Sequence, residues 1–418
     1  MISELKIRNF KSLESVDLKL GHFNLLVGAN ASGKSNFLDA LRFFRGLGSG
    51  LQISEILDGK PPSATALKWD GIRGGAEFVS YRTRNGPPAS TIDFEVNLTG
   101  ARDQDLKYEM AFSPSEREFV SERLTYGLDT VHEMTREKHE QQSDEFLAIP
   151  YVVSSIGSLF ANLHFYDLLR ENGKSETDSP DTGPGGESRK LKDLCWRTLE
   201  FFAGIRQYDF SLSVLRDYSK AMQTGQQLGE QGQGLSGLMK EVSENFREKA
   251  AMLEWLRALR PDEIDDIYTR EGLVGDHLLA IREHGIEYFA PSISDGTLRF
   301  IAFVASFFQS PMPKVIVIDE VETGLHPSRL RLLLDLMRSQ SKRTGTQVFA
   351  TTHSPTLLNW LTEEDRKTTF VCTRDAESGA TKMRSLSEVP RLEELIQKNY
   401  NLDQLFEEGW IESVLHES

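Results

Sequence analysis

Cysteine is almost missing from this chain. Cys195 and Cys372 are the only two in 418 residues, far apart and without metal-ligand spacing. Their scarcity argues against a disulfide framework or a zinc site, and a reducing, cytoplasmic setting is expected. Long apolar runs are missing as well. No stretch approaches the roughly 20 apolar residues that span a bilayer, so no membrane partner is expected. The opening MISELKIRNFKS also lacks the apolar segment of a signal peptide. Positive charge is in deficit, with 48 Lys and Arg against 63 Asp and Glu, a net charge of −15. A protein that coats nucleic acid favours a basic domain; a locally basic groove stays open, because whole-chain charge says little about one face. Heptads do not persist long enough for an extended coiled coil, and no repeat recurs at solenoid periods.

What is present is ordinary globular composition, 39% hydrophobic and 27% charged, on a chain long enough for two or more cores. Three stretches differ in pattern. Over residues 1–145, strand-like runs (ISELKIRNF, SVDLKLGHFNLLVG, AEFVSYRTR, STIDFEVNLT, LKYEMAFS, FVSERLTYG) predict an antiparallel β lobe beside a glycine turn and a helix. Residues 146–285 carry apolar residues at helical spacing in SSIGSLFANLHFYDLLR, SRKLKDLCWRTLEFFAGI and LSGLMKEVSENFREKAAMLEWLRAL. An inserted helical lobe is expected there, with a mobile polar loop over 171–190. From 286 to 418 strands and helices alternate through EYFAPSISDGTLRFIAFVASFF, PKVIVIDEVETGLHP, RLRLLLDLMRSQ and TQVFATTHSP. That alternation predicts α/β architecture on a mostly parallel sheet.

The chemistry starts at Gly28. Residues 28–35 read G-A-N-A-S-G-K-S, a complete G-x-x-x-x-G-K-[ST] phosphate loop between an apolar strand and an amphipathic helix. Its glycines let the backbone curl so that N–H groups point at phosphates, helped by the positive end of the following helix. Lys34 is suited to the β- and γ-phosphates and Ser35 to Mg²⁺. Chance produces this pattern about once in 50 chains of this size; its strand-to-helix setting is the confirming context. KVIVIDE ends a buried-type strand in two carboxylates, where open α/β sheets present ligands. Asp319 is the candidate Mg²⁺ ligand and Glu320 the base for an attacking water. TTHSP sets His353 just after another strand, positioned to bond a γ-phosphate or simply to sit as a satisfied surface histidine.

Together the opening ISELKIRNFKSLESVDLKL, the phosphate loop, SISDGTLRF, VIVIDEVETGLHP and ATTHSP resemble the ABC-type ATPases of the RecF, structural-maintenance-of-chromosomes (SMC) and OLD group. The nearest likeness is to their short stand-alone AAA-labelled relatives, and RLEELIQKNYNLDQLFEEGWIESVL resembles the tail of those members. The resemblance implies an ABC-type head with a mixed central sheet, the phosphate loop and acid pair at adjacent strand ends, an antiparallel β lobe and an inserted helical lobe. It implies ATP and Mg²⁺, with nucleotide contacts from Gly28, Asn30, Gly33, Lys34, Ser35 and Asn36. Lys11 lies where relatives place a basic residue near the nucleotide, though a solvated strand charge reads equally well. SDGTLR resembles the ABC signature, so Ser294 and Gly296 would touch the γ-phosphate held by a second protomer; Ser294 is also a plain helix N-cap. His326 would lie near a D-loop at a dimer interface, and His353 would be the switch histidine. Asp295 and Thr297 depart from the LSGGQ-like run, and no glutamine follows. For the Q-loop, Gln52 is available, while the matching segment is DGIRGG over 70–75.

OLD-type nucleases continue past the switch histidine into a Toprim domain; residues 354–418 are too few for one, so no nuclease chemistry is expected of this chain. The expected function is an ATPase whose nucleotide-driven dimerisation, or higher homo-oligomerisation, controls a separate effector protein, a nuclease-like one included, in bacterial anti-phage defence. The alternative is a RecF-like repair ATPase that binds DNA directly. RTRNG and SRKLK are the only modest basic clusters available to it. A vestigial ATP site fits least, because Lys34, Ser35, Asp319 and Glu320 are all present.

Overall fold

The computed structural model describes residues 1–62, 68–83, 86–99, 105–127, 129–135, 185–219, 227–261 and 263–417. Two compact units divide the chain, each assembled from separate segments. The first takes Met1–Gly21, Gly28–Ile205 and Val371–Arg384; the second takes His22–Val27, Arg206–Phe370 and Ser385–Ser418.

The strands are β1 (Ile2–Phe10), β2 (Leu13–Lys19), β3 (Phe23–Val27), β4 (Ile92–Thr99), β5 (Asp105–Ser113), β6 (Glu118–Tyr126), β7 (Asp129–Thr135), β8 (Ile205–Tyr208), β9 (Ile264–Glu271), β10 (His277–Glu283), β11 (Ile286–Phe289), β12 (Val315–Ile318), β13 (Gln347–Thr352), β14 (Thr369–Arg374) and β15 (Thr381–Ser385). The helices used below are α1 (Lys34–Gly48), α2 (Gly185–Ala203), α3 (Leu235–Glu244), α4 (Phe246–Leu259), α5 (Asp295–Ala305) and α6 (Pro327–Thr344).

In the first unit a six-stranded antiparallel sheet runs β2-β1-β4-β5-β6-β7. Alternation builds it: Ile92, Phe94, Val96 and Leu98 of β4 are buried while the residues between them are not. Register puts Leu5 opposite both Leu18 and Val96, and Phe94 opposite Met110. This keeps one apolar face continuous across the strands. Helix α1 brings Phe43 and Phe44 to it. Phe43 stacks on Phe112 at 4.8 Å, and Phe44 meets Phe94 and Phe202, each at 5.0 Å between centroids. Phe202 comes from α2, which packs so closely on α1 that a Cβ on Gly48 would lie 2.1 Å from Ala203 N.

In the second unit β3, β13 and β12 lie side by side in parallel, with β8 beyond β12. Every residue of these three parallel strands is buried. That is the near-continuous apolar pattern of a parallel sheet covered on both faces. Register pairs Val27 with Thr352 and Ile318 with Ala350, so all three strands end at one edge. The expected phosphate-loop strand and acid-pair strand are therefore not immediate neighbours: β13, which leads into His353, runs between them.

Three further expectations meet differences. AEFVSYRTR does not form a strand. Gly74 and Gly75 take φ of 86° and 59°, Asp58 accepts from Ala76 N, and Gly75–Phe78 is a helical turn followed by single bridges at Ser80 and Arg82. Turn chemistry outweighs the apolar alternation there. The helical pattern expected to reach 285 stops earlier: β9, β10 and β11 form a three-stranded antiparallel sheet, in which Ile264 and Ile267 are buried on either side of a register shift and His277–Ile281 are buried throughout. Within LSGLMKEVSENFREKAAMLEWLRAL, Asn245 ends α3 and caps α4, accepting from Arg247 N and Glu248 N. SSIGSLFANLHFYDLLR and the expected loop up to residue 184 lie outside the described residues; from Gly185 the chain is helical.

Candidate functional site

The phosphate loop belongs to the first unit and is held open by close contacts. Gly28 lies over the Cys372 carbonyl, where a Cβ would come within 2.3 Å of that oxygen. Gly33 caps α1 at φ 106°, and its Cβ would overlap the Thr381 hydroxyl at 2.0 Å. Ala31 is also left-handed, at φ 62°. Thr381 bonds Ser12 Oγ at 2.6 Å and donates to Ser32 O at 2.9 Å, so β15 buttresses the loop. Burial pushes the Cys372 thiol up to about 12, partly opposed by the Lys34 charge, and keeps it protonated.

Lys34 is buried and donates to Gly28 O at 2.6 Å and Ala29 O at 2.9 Å, the carbonyls of its own loop. Helix α1 has no side-chain cap and no acid in its first turn. The buried Ser32 hydroxyl has no hydrogen-bond partner among the described residues. An uncapped fifteen-residue helix, a buried ammonium ion on neutral carbonyls and an orphaned hydroxyl together suit a polyphosphate. Asn30 is exposed. Asn36 donates to Ser12 Oγ at 2.7 Å. Ser35 gives its carbonyl to Arg73 Nη2 at 2.8 Å.

Lys11, at φ 54°, is not a solvated strand charge. Its Nζ meets Asp39 Oδ2 of α1 at 2.5 Å, with both side chains under a tenth exposed. Burial lowers its pKa against the pull of Asp39, and Arg73 lowers it further. Arg73 pairs with the same carboxylate at 2.9 Å. Lys11, Arg73, Arg82, Arg374, Asn36 and Tyr81 line a cleft of about 300 Å³ that holds no acidic lining residue. Arg73 stands in DGIRGG, so the matching segment places an arginine here.

The second unit carries the acid turn. Asp319 and Glu320 follow β12, and Glu320 has φ 49°, a left-handed conformation that side chains rarely take. His353 Nε2 lies 3.0 Å from Glu320 Oε1, while its buried Nδ1 has no partner among the described residues. His353 N donates to Glu322 Oε1 at 2.7 Å. Thr323 Oγ1 reaches Glu320 Oε2 at 3.3 Å. Sequence reasoning missed Thr351, whose hydroxyl donates to Asp319 Oδ1 and accepts from Glu320 N at 2.9 Å. Period-two spacing from His353 was the available signal.

Ser294 is the N-cap of α5, accepting from Thr297 N and bonding Thr297 Oγ1 at 2.8 Å. Gly296 faces the Gly324 carbonyl, 3.0 Å from where its Cβ would be, so the SDGTLR and VETGLHP segments pack on each other. Asp295, the departure from the usual signature, is paired with Arg216 at 2.5 Å. His326 caps α6, accepting from Ser328 N at 3.3 Å. No group of three or more His, Cys, Asp or Glu among the described residues forms a metal cage of its own. Mg²⁺ is commonly held by only one or two protein oxygens together with substrate phosphates, and the Ser35 hydroxyl in the first unit and the Asp319 carboxylate in the second are each oxygen donors of that kind. No helix of the described residues is long and apolar enough to cross a membrane.

A phosphate loop after one parallel strand, acids after another and a histidine after the strand between define an ATPase of the ABC type. Residues 23–359 match the family described as "AAA domain, putative AbiEii toxin, Type IV TA system", and the chain belongs to that family. It is similar to a protein of Helicobacter pylori named ATP/GTP phosphatase, 23% identical over 383 residues, 88% of this chain and 90% of that one. A shorter match, 46% identical over 52 residues, is to the DNA replication and repair protein RecF of Glaesserella parasuis and spans 14% of it. Among solved structures the chain aligns with the SMC head domain from Thermotoga maritima, at 14% identity and TM-score 0.46, covering 92% of this chain and 98% of that one.

Proposed function

We propose that the chain binds Mg·ATP and hydrolyses it to ADP and phosphate, and that nucleotide-driven pairing of two heads controls a partner protein. The observation that carries this reading is the acid turn: a left-handed Glu320 held against His353, at the edge where three parallel strands end. Strain of that kind persists where function requires it.

Gly28, Asn30, Gly33 and the first turn of α1 would cradle the phosphates, and Lys34 would exchange its loop carbonyls for β- and γ-phosphate oxygens. The Lys11 and Arg73 cleft, with Asn36, would take the sugar and base side. Ser35 and Asp319 would hold Mg²⁺, which when bound screens phosphate charge. Glu320 accepts the proton of the attacking water; His353 donates Nε2–H to Glu320 or to the incoming γ-phosphate. Moving that donor to the phosphate would free the Glu320 carboxylate for water.

Ser294 and Gly296 would meet the nucleotide of a second copy. Packing of Gly296 on Gly324 lets each head present signature and D-loop as one surface. The family description names a toxin of a toxin–antitoxin system, which fits an ATPase switching an effector and supports a role in anti-phage defence. The RecF match favours a second reading, direct DNA engagement, over a small part of the chain.

Glu320→Gln tests the chemistry. Phosphate release should fall by about 10²–10³-fold while ATP stays bound, and dimers should accumulate with ATP in light scattering. Undiminished release would remove Glu320 as the base.

A further inference from the structure

Thr351 is buried completely, one residue before the end of β13, and within TTHSP only the histidine carries an expected role. Its neighbours assign its proton. A carboxylate accepts only and an amide N–H donates only. The single hydroxyl hydrogen therefore goes to Asp319 Oδ1, and an oxygen lone pair receives Glu320 N–H at 2.9 Å. The carbonyl of the same residue accepts from Val321 N at 3.0 Å. Three successive residues of the acid turn are thus tied to one residue of the neighbouring strand.

Geometry explains why one residue can do this. Asp319 follows Ile318, which is paired with Ala350, so the turn starts level with Thr351. Strand period two places Thr351 and His353 on the same side. One grips the backbone of Glu320, and the other meets its carboxylate 3.0 Å away. A left-handed glutamate is an unfavourable conformation that persists only where its surroundings hold it, and the Thr351 bonds supply that hold. The bond to Oδ1 also limits rotation of the Asp319 carboxylate.

We propose that Thr351 is a positioning residue for hydrolysis, orienting the metal-binding carboxylate and the base together through one hydroxyl. This rests on the ATPase reading above. The role belongs to the hydroxyl and not to the methyl, so serine should serve and valine should not.

The test compares Thr351→Val, Thr351→Ser and the milder Thr351→Cys in the full chain, by steady-state ATP hydrolysis with Mg²⁺ titration and by crystal structures of the variants. Valine should lower kcat by about 10²-fold, leave KM for ATP nearly unchanged and raise the Mg²⁺ concentration needed for half-maximal rate. Serine should restore most of the rate, and cysteine should lie between. Valine turning over at the wild-type rate, or serine as slow as valine, overturns the proposal. If valine does not fold, the serine–cysteine pair decides in the same way. Wild-type protein without ATP turnover would defeat the ATPase reading instead. The clamp would then stand or fall on the valine crystal structure: a rotated Asp319 carboxylate or a relaxed Glu320 supports it, and an unchanged turn overturns it.

Discussion

Asp93 and Lys11 show how far a charge departs from solution behaviour once a sheet or helix closes over it. Lys11 is held in the ionised pair by Asp39 although burial pulls its pKa down. Asp93, on β4, has its carboxyl raised above the ordinary 3.8 by burial, with the Arg8 charge only partly opposing this. The folded protein then keeps that proton to higher pH than the unfolded chain does. Stability from this group is fully present below the unfolded value and is lost as pH rises through the folded one. Asp93→Asn should therefore melt at a higher temperature than wild type at pH 7, with the gap closing near pH 3. Equal melting temperatures at pH 7 would show that the carboxylate costs nothing there. The phosphate-loop residues and the acid pair were legible one by one because each belongs to a motif with a mechanism. Thr351 was not, since its importance lies in partners 30 or so positions away in sequence.

Among the elements, α1 couples the loop chemistry to a core. Its N-terminus is the glycine-capped end of the phosphate loop, and two turns later it buries Phe43 and Phe44 against β4 and β5. Phe94 touches both rings and Phe10 besides. Phe94→Ala should cost about 3–5 kcal/mol in urea denaturation, by leaving a cavity that four aromatic neighbours cannot fill. A loss below about 1 kcal/mol would mean that the cluster relaxes around the gap. Strands β4 to β6 were readable from alternation alone. The AEFVSYRTR segment was misread because two left-handed glycines and the Asp58 cap act locally, with no trace in an apolar pattern.

For the whole molecule, the net charge of −15 bears on partners more than on fold. If the chain controls an effector protein, binding to random duplex at about 0.15 M salt should be weaker than about 10⁻⁴ M, at or beyond the weak end for non-specific DNA binders. Tighter binding with a steep inverse dependence on salt would bring the RecF-like reading forward. Pull-down of tagged Glu320→Gln from its native host, with and without ATP, should recover a protein only when nucleotide is present. Nucleic acid in its place would reverse that preference.

By itself the sequence determined the nucleotide chemistry, the alternation of strands and helices after residue 286, and the antiparallel lobe near the start. Each of these is encoded by residues a few positions apart, through glycine freedom, side-chain period and a lysine beside a hydroxyl. Tertiary structure alone decided that β13 runs between the phosphate-loop strand and the acid strand, that Lys11 and Arg73 share the Asp39 carboxylate, and that Thr351 grips the acid turn. Strand order and the partners of a buried charge depend on which distant segments share one desolvated space. That is a property of packing, and no local pattern in the chain records it.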